Sequence, residues 1–308
     1  MISNPRANRI ALMCGALMVI LAGATAAVEQ SLYPSPDAAV KALIEAAGSE
    51  DRDAILAILG PGAEDLRSGD PVADAEERRA FVEATDEGAR IEQEGDDLAM
   101  LSIGNENWPF PIPLVRAPDG WRFDAAAGKE ELLNRRVGRN ELHAIAVTRV
   151  YVDAQYEYAA EDRNGDGIRQ FAQKLMSDEG TRDGLFWPTA EGEPQSPMGR
   201  LVAEAVAKGY QPGESAEPSP YQGYYYRVLT AQGENAPGGS KEYVDNGHMT
   251  KGFGLLAHPA EYGNSGITTF MVNQSGILFQ KDLGEETPSL AADISTYDPD
   301  ESWQPVTD

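Results

Sequence analysis

Three oxygen-bearing side chains stand at alternate positions in one short acidic segment. Asp162, Asn164 and Asp166 are followed by Gly167, a spacing that matches the first half of a calcium-binding loop. Such side chains can point inward onto a hard cation while the glycine permits a sharp turn. Position twelve is Gln173 and not the bidentate glutamate that completes an EF-hand loop. The segment therefore predicts either a calcium site or an acidic turn that needs no metal, and no other cofactor is indicated.

A dense basic cluster stands out in an otherwise acidic chain. Arg135, Arg136 and Arg139 lie close together in one segment. Their guanidinium groups could bind a carboxylated ligand through paired hydrogen bonds. They could instead pair with carboxylates of a facing domain, since the planar guanidinium suits such pairing. We favour internal pairing and keep the three arginines as candidate ligand contacts.

An aromatic run of four tyrosines could stack on a sugar or a peptide. The run consists of Tyr221, Tyr224, Tyr225 and Tyr226. Successive side chains of a strand point to opposite faces, so half of the run should face a core. Tyr224 and Tyr226 are the candidate ligand contacts of this run.

The residues that could catalyse a reaction form no motif in the sequence. His143, His248 and His258 lack the spacing that would put two imidazoles on one metal, which argues against a zinc site. A glycoside hydrolase would need two carboxylates about 5 to 10 Å apart in a cleft. Asp153 or Glu261, together with His258, are the candidates for hydrolysis. The sequence places no such pair, and we therefore favour a protein that is not an enzyme.

The amino-terminal segment has the pattern of an export signal. Arg6 and Arg9 form a basic region, residues 10–22 form a small and apolar run, and residues 24–26 offer an A-x-A cleavage site. The apolar run is short for a transmembrane helix, which needs about 20 residues. We therefore expect residues 1–26 to be removed as a signal peptide. The mature protein would be periplasmic or secreted, without stable insertion in a membrane.

The composition limits what the exported chain can bind. Cys14 is the only cysteine and lies in the expected signal, so the mature chain can form no disulfide and offers no thiolate. The formal charge is −25, and removing a signal with two arginines and no acid takes it to −27. Binding to nucleic acid or anionic lipid depends on lysine and arginine neutralising phosphates. Neither is therefore an expected partner.

Residues 27–130 predict an amino-terminal α+β domain. Ser35 is suited to cap a helix that starts at Pro36 and stops at Gly48, and further helices are expected over 53–59 and 74–84. The pattern then changes to short β-type runs at 89–93, 98–103, 112–116 and 121–124. Helices followed by a curved antiparallel sheet resemble the cone-shaped SnoaL-like and cystatin-like modules.

Residues 131–308 predict a second domain built on a long helix. Apolar residues recur at helical spacing from Asn140 to about Ala160, and short helices are expected over 170–176 and 201–208. Strands are expected at 224–229, 253–257, 267–272 and 277–283. A long helix followed by an antiparallel sheet resembles the globular head of type IV pilins. The fold class is therefore expected to be α+β, in two domains.

Several short segments spread along the chain form a combined pattern. They are GPGAEDL at 60–66, SGDP at 68–71, WPFPIP at 108–113, NRRVGRNE at 134–141, YVDAQ at 151–155, YQGYY at 221–225, VNQ at 272–274 and QKDLG at 280–284. Together they resemble one bacterial family of exported proteins, the domain-of-unknown-function family 2950. The resemblance covers nearly the whole mature chain. It implies export and a shared architecture, and it carries over no catalytic residue.

These observations favour an exported cell-envelope protein with a non-catalytic role in binding or structural support. Its partner would be an unidentified envelope protein or polymer. A hydrolase acting on an envelope polymer is one alternative. A calcium-dependent adhesion or binding module that uses Asp162, Asn164 and Asp166 is another.

Overall fold

The computed structural model describes residues 30–190, 192–211 and 219–307, which combine helices with antiparallel sheets in an α+β fold. The first elements are α1 Pro36–Gly48, α2 Arg52–Leu59, a 3-10 turn Glu64–Leu66 and α3 Pro71–Glu87. The three α-helices begin after Ser35, Asp51 and Asp70, whose side chains accept backbone N–H groups of the first turn. All three predicted helices are confirmed, and α3 extends beyond the expected 74–84 at both ends.

A five-stranded antiparallel sheet follows these helices. Its strands are β1 Ala89–Glu94, β2 Leu98–Ile103, β3 Trp108–Pro109, β4 Leu114–Ala117 and β5 Gly120–Phe123. The order is β1-β2-β4-β5, and the short β3 pairs with β2. Leu43 of α1 shares a buried cluster with Leu101 and Phe123 of the sheet. Full burial of such a leucine contributes about 1.5–3 kcal/mol.

The longest helix, α4, runs over Ala125–Ala159. The predicted start at Asn140 is wrong. The helix begins at Ala125, and the carboxylate of Asp124 caps it by accepting the backbone N–H of Ala127 at 3.1 Å. Residues 125–139 lack the apolar stripes that predicted the helix from residue 140 onward. They are nevertheless rich in alanine, glutamate, leucine and arginine, which favour helix on their own.

Helix α4 contributes to both large cores of the described chain. Ala125 at its start belongs to the cluster under the first sheet, whereas Tyr151 and Tyr158 belong to the cluster of the second half. The expected domain boundary between residues 130 and 131 lies inside this helix. The division into two domains stays a prediction.

Short elements connect α4 to the second sheet. They are β6 Lys174–Met176, β7 Gly184–Phe186 and α5 Gly199–Lys208, of which β6 and β7 pair in parallel. The helix expected over 170–176 is wrong, whereas the one expected over 201–208 is confirmed as α5. Gln155 of α4 explains the difference. Its side chain accepts the N–H of Ala172 and donates to the carbonyl of Ala172, both at 2.8 Å, as a neighbouring strand would.

The remainder of the chain is mainly β structure. Its elements are β8 Tyr224–Leu229, β9 Ala231–Gln232, β10 Lys241–Glu242, β11 Val244–Asp245, β12 His248–Met249, β13 Gly254–Pro259, β14 Thr268–Asn273, β15 Phe279–Asp282, α6 Thr287–Asp293 and β16 Gln304–Pro305. Five of them form an antiparallel sheet in the order β16-β15-β14-β13-β8, which confirms the four expected strands. No helix in the described ranges combines the length and apolar character needed to cross a membrane.

Candidate functional site

The acidic segment after α4 forms a turn held by its own side chains. The carboxylate of Asp162 accepts the N–H groups of Gly165 and Gly167 at 2.8 and 2.9 Å. Asp166 accepts the N–H of Ile168 at 2.8 Å and the side-chain amide of Asn164 at 2.6 Å. Partial desolvation acts to raise the pKa of Asp166, but these hydrogen bonds hold it below its usual value.

The donors of this turn already occupy the oxygens that a cation would need. Asp166 Oδ2 also receives the amide of Gln170 at 2.7 Å and lies 3.4 Å from Nδ1 of His248. Within the parts of the chain that the structure describes, no group of three or more His, Cys, Asp or Glu side chains could hold a metal ion. Calcium binding by Asp162, Asn164 and Asp166 stays a prediction.

Two arginines of the basic cluster form ion pairs at the surface, one within α4 and one with α3. Arg135 pairs with Glu131 at 2.6 Å and donates to the carbonyl oxygen of Pro109 at 2.9 Å. Arg139 pairs with Glu77 of α3. Both arginines therefore pair with groups of the protein itself. A role of the arginines in ligand binding stays a prediction.

The third arginine lies in the interior. Arg136 is only 2% exposed, and it donates to the side-chain oxygen of Asn264 at 2.7 Å and to the carbonyl of Leu66. Burial lowers its pKa, and its Nε has no hydrogen-bond partner. One turn further along α4, Asn140 donates to the carbonyl of Ser265 at 2.9 Å. The two side chains together fasten the loop before β14 to α4.

The side chains proposed for hydrolysis have local partners. Nδ1 of His258 lies 3.2 Å from the carbonyl oxygen of Pro259, and the carboxylate of Glu261 accepts the side-chain amide of Asn264 at 2.7 Å. Asp153 is exposed on α4. Burial lowers the pKa of His258, which favours the neutral imidazole. Hydrolysis by these residues stays a prediction.

The tyrosine run occupies β8 and the residues before it. Tyr224 is fully buried, and its hydroxyl donates to the carbonyl of Thr268 at 2.9 Å. Tyr226 packs against the same buried cluster as a partly buried side chain. Tyr225 lies next to His258, with the ring centroids 5.5 Å apart. Tyr224 is thus a core residue, whereas Tyr225 and Tyr226 border a cavity.

This cavity, which we call the tyrosine cavity, has a volume of about 350 Å³ and lies among α4, α5, β6 and β8. Its aromatic wall is formed by Tyr210, Tyr221, Tyr225 and Tyr226. Apolar side chains of α4, α5 and β13 form other parts, including Val147, Tyr151, Leu201, Val202, Ala205 and Leu255. Small-molecule sites commonly measure 300–1,000 Å³ and are mostly apolar. The lining residues within the described ranges include no charged side chain.

Two tyrosine hydroxyl groups of the lining differ in their hydrogen bonding. Tyr210 donates to Asp70 at 2.7 Å, and its ring stands at 73° to that of Tyr221 with the centroids 5.0 Å apart. The other oxygen of Asp70 accepts the N–H groups that cap α3. The hydroxyl of Tyr226 is buried and has no hydrogen-bond partner in the structure. Burial raises the pKa of Tyr226, so this hydroxyl stays protonated at neutral pH.

Only part of this cavity could be predicted from the sequence. The tyrosine run contains Tyr221, Tyr225 and Tyr226, whereas Tyr210, Ala205 and the walls from α4 and β13 were not predicted. The apolar positions Met198, Val202 and Ala205 recur at helical spacing near α5, and this stripe is the local signal that marked the wall. Nothing local indicated that the stripe would face β8.

One comparison identified the family of the chain. The family model described as "Protein of unknown function (DUF2950)" matches residues 30–306. The curated proteins and the solved structures contained no match, so the likenesses to SnoaL-like, cystatin-like and pilin modules stay unconfirmed. The matched span includes the acidic turn, the basic cluster and the tyrosine cavity. The chain therefore belongs to the DUF2950 family of proteins of unknown function.

Proposed function

We propose that this protein is an exported, non-catalytic binding protein of the cell envelope, and that the tyrosine cavity holds its ligand. The observation that carries the proposal is the cavity itself. Its volume of about 350 Å³ lies within the range of small-molecule sites. Its walls are apolar and aromatic, and the Tyr226 hydroxyl is a buried polar group without a partner.

The lining residues support binding more than catalysis. In the described part of the chain they include no histidine, aspartate, glutamate, lysine or cysteine, the side chains that usually transfer protons or act as nucleophiles. The tyrosine hydroxyls are weak acids, and burial raises the pKa of Tyr210 and Tyr226 further. The cavity thus offers contact area and hydrogen bonds without an evident proton-transfer group.

The location of the protein is proposed from its first 26 residues, which lie outside the described ranges. A basic region, an apolar run and an A-x-A site form the pattern of a cleaved signal. The protein would thus be periplasmic or secreted, and its ligand would come from the envelope. The formal charge of −25 disfavours nucleic acid as a partner.

Sequencing the amino terminus of the exported protein tests the location. We expect the chain recovered from the periplasm or the medium to begin at Ala27. Recovery in the cytoplasm with residues 1–26 retained would contradict export.

A binding titration tests the site. N-phenyl-1-naphthylamine, a neutral apolar dye, should bind the processed protein saturably. Ala205→Leu adds volume inside the cavity and should weaken this binding at least about tenfold, because a packed site tolerates little extra volume. Ala203→Leu is the matched control, since Ala203 is exposed on the same helix. Equal affinities of the two variants would place the dye elsewhere.

A further inference from the structure

We infer that the ligand of the tyrosine cavity is an uncharged, ring-containing molecule with one hydrogen-bonding group opposite the Tyr226 hydroxyl. This inference rests on the proposed function, because it specifies the ligand of the same site. Three features of the described lining support it, namely the absence of charged side chains, a buried hydroxyl without a partner, and the aromatic rings.

The charge of the lining argues for a neutral ligand. Among the cavity-lining residues that the structure describes there is no carboxylate, ammonium, guanidinium or imidazole. A charged ligand group would lose its hydration there without gaining an ion pair, which is strongly unfavourable. Asp70, the carboxylate reached through Tyr210, already accepts that hydroxyl and the two capping N–H groups of α3.

The Tyr226 hydroxyl specifies one polar contact. Buried hydroxyl groups in proteins nearly always have a partner, and this one has none in the structure. The hydroxyl can donate or accept, so a carbonyl, a hydroxyl or an amine of the ligand would pair with it. Two other tyrosines of the lining, Tyr210 and Tyr151, donate to Asp70 and to the carbonyl of Gly254, whereas the buried Tyr226 hydroxyl is unpaired.

The shape and chemistry of the walls favour planar rings. The rings of Tyr210 and Tyr221 already meet edge to face, and Tyr225 and Tyr226 extend this aromatic wall. Met176 and Met198 add thioether sulfurs, which contact aromatic edges favourably and adapt to irregular shapes. Aromatic ligands gain more from such walls than aliphatic chains of equal area.

A matched pair of dyes tests the charge. N-phenyl-1-naphthylamine and 8-anilinonaphthalene-1-sulfonate share their ring system and differ by one sulfonate. We expect the neutral dye to bind at least about tenfold more tightly, since the sulfonate would be buried without a partner. Equal affinities that are both weakened by Ala205→Leu would overturn the neutral-ligand inference and leave the proposed function standing. Failure of both dyes to bind would overturn both.

Competition tests whether the aromatic wall selects a cation instead. Tert-butylbenzene and phenyltrimethylammonium have nearly the same shape, and only the second is charged. We expect tert-butylbenzene to displace N-phenyl-1-naphthylamine and phenyltrimethylammonium to fail. Stronger displacement by phenyltrimethylammonium would show cation–π recognition by the tyrosines and would overturn the inference.

The Tyr226→Phe variant tests the hydrogen bond. It removes one hydroxyl and leaves no protein group unpaired, so the variant should fold as the unmodified protein does, with the same thermal midpoint. Binding of N-phenyl-1-naphthylamine should weaken about threefold to tenfold. Tyr262→Phe is the control, because the Tyr262 hydroxyl contacts Asp282 outside the cavity. An unchanged affinity of Tyr226→Phe would overturn the assignment of this contact.

Discussion

The guanidinium of Arg136 donates a 2.7 Å hydrogen bond to the side-chain oxygen of Asn264, joining two residues 128 positions apart. The same side chain donates to the carbonyl of Leu66 from the helical segment before α3. One buried arginine on α4 therefore connects the first part of the chain with the loop before β14. This contact is stereochemically demanding because it uses two separate nitrogens of a planar group.

Replacing Arg136 should destabilise the protein far more than replacing its neighbour. Arg136→Met leaves the acceptors on Asn264 and Leu66 unpaired, and we expect a loss of about 2–4 kcal/mol in the free energy of unfolding. Arg135→Met removes a half-exposed pair with Glu131 and should cost less than about 1 kcal/mol. Denaturant unfolding of both variants measures the difference. Similar losses would show that burial of Arg136 is not decisive.

Two glycines of α4 should respond in opposite directions to alanine. A Cβ at Gly128 would lie 2.7 Å from the carbonyl oxygen of Pro111 and 2.8 Å from Cα of Ile112, so Gly128→Ala should destabilise by about 1–3 kcal/mol. A Cβ at Gly138 meets nothing within 4 Å, so Gly138→Ala should stabilise the helix by about 0.5–1 kcal/mol. Thermal melts of the two variants check this. A loss of stability in Gly138→Ala would contradict the open space beside it.

Stability should fall as the pH drops below neutrality. Burial lowers the pKa of His143 and His258 below 6.5, so the unfolded chain binds more protons as the pH falls through that value. Their contribution is complete above about 6.5 and declines below it. We expect a lower free energy of unfolding at about pH 5.5 than at about pH 7.5. Substituting both histidines with glutamine should reduce this difference.

The carboxylates act in a different pH window. Desolvation opposes the shift, but hydrogen bonds from Lys174 and Thr181 lower the pKa of Asp183 from 3.8 to about 2. That contribution is present above about pH 3.8 and is lost as the pH falls through about 2, well below the histidine window.

If the double histidine variant kept the full pH dependence of stability between about pH 7.5 and pH 5.5, the assignment of that dependence to histidine would be wrong.

Calcium should leave the thermal midpoint unchanged, because the oxygens of Asp162 and Asp166 already accept hydrogen bonds from their own turn. Asp162→Ala should lower the midpoint equally with calcium and with chelator, since it removes two of those bonds. The measurement is a melt of the mature protein, of Asp162→Ala and of Asp166→Ala in both conditions. A calcium-induced rise that disappears in Asp166→Ala would establish a metal site and favour calcium-dependent adhesion.

Local sequence determined most of the secondary structure. Ser35 followed by Pro36 specifies a helix start with a side-chain cap and a preset backbone angle, and α1 begins at Pro36. The aromatic and β-branched run at 224–229 specifies a strand, and β8 has these bounds. Such signals depend on groups a few residues apart, so they can be read without knowledge of the fold. The start of α4 was missed because residues 125–139 favour helix without showing an apolar stripe.

Tertiary structure decided where the chain departs from these local preferences and which residues each side chain contacts. Gln155 holds Ala172 in an extended segment through two hydrogen bonds. The two residues are 17 positions apart, so no local pattern predicts this contact. The tyrosine cavity joins Val147, Ala205 and Tyr226 from three separate elements. By itself, the sequence determined the α+β class, the family resemblance and the tyrosine run. Whether a tyrosine fills a core like Tyr224 or borders a cavity like Tyr226 depends on packing between distant elements, and only the folded chain decides it.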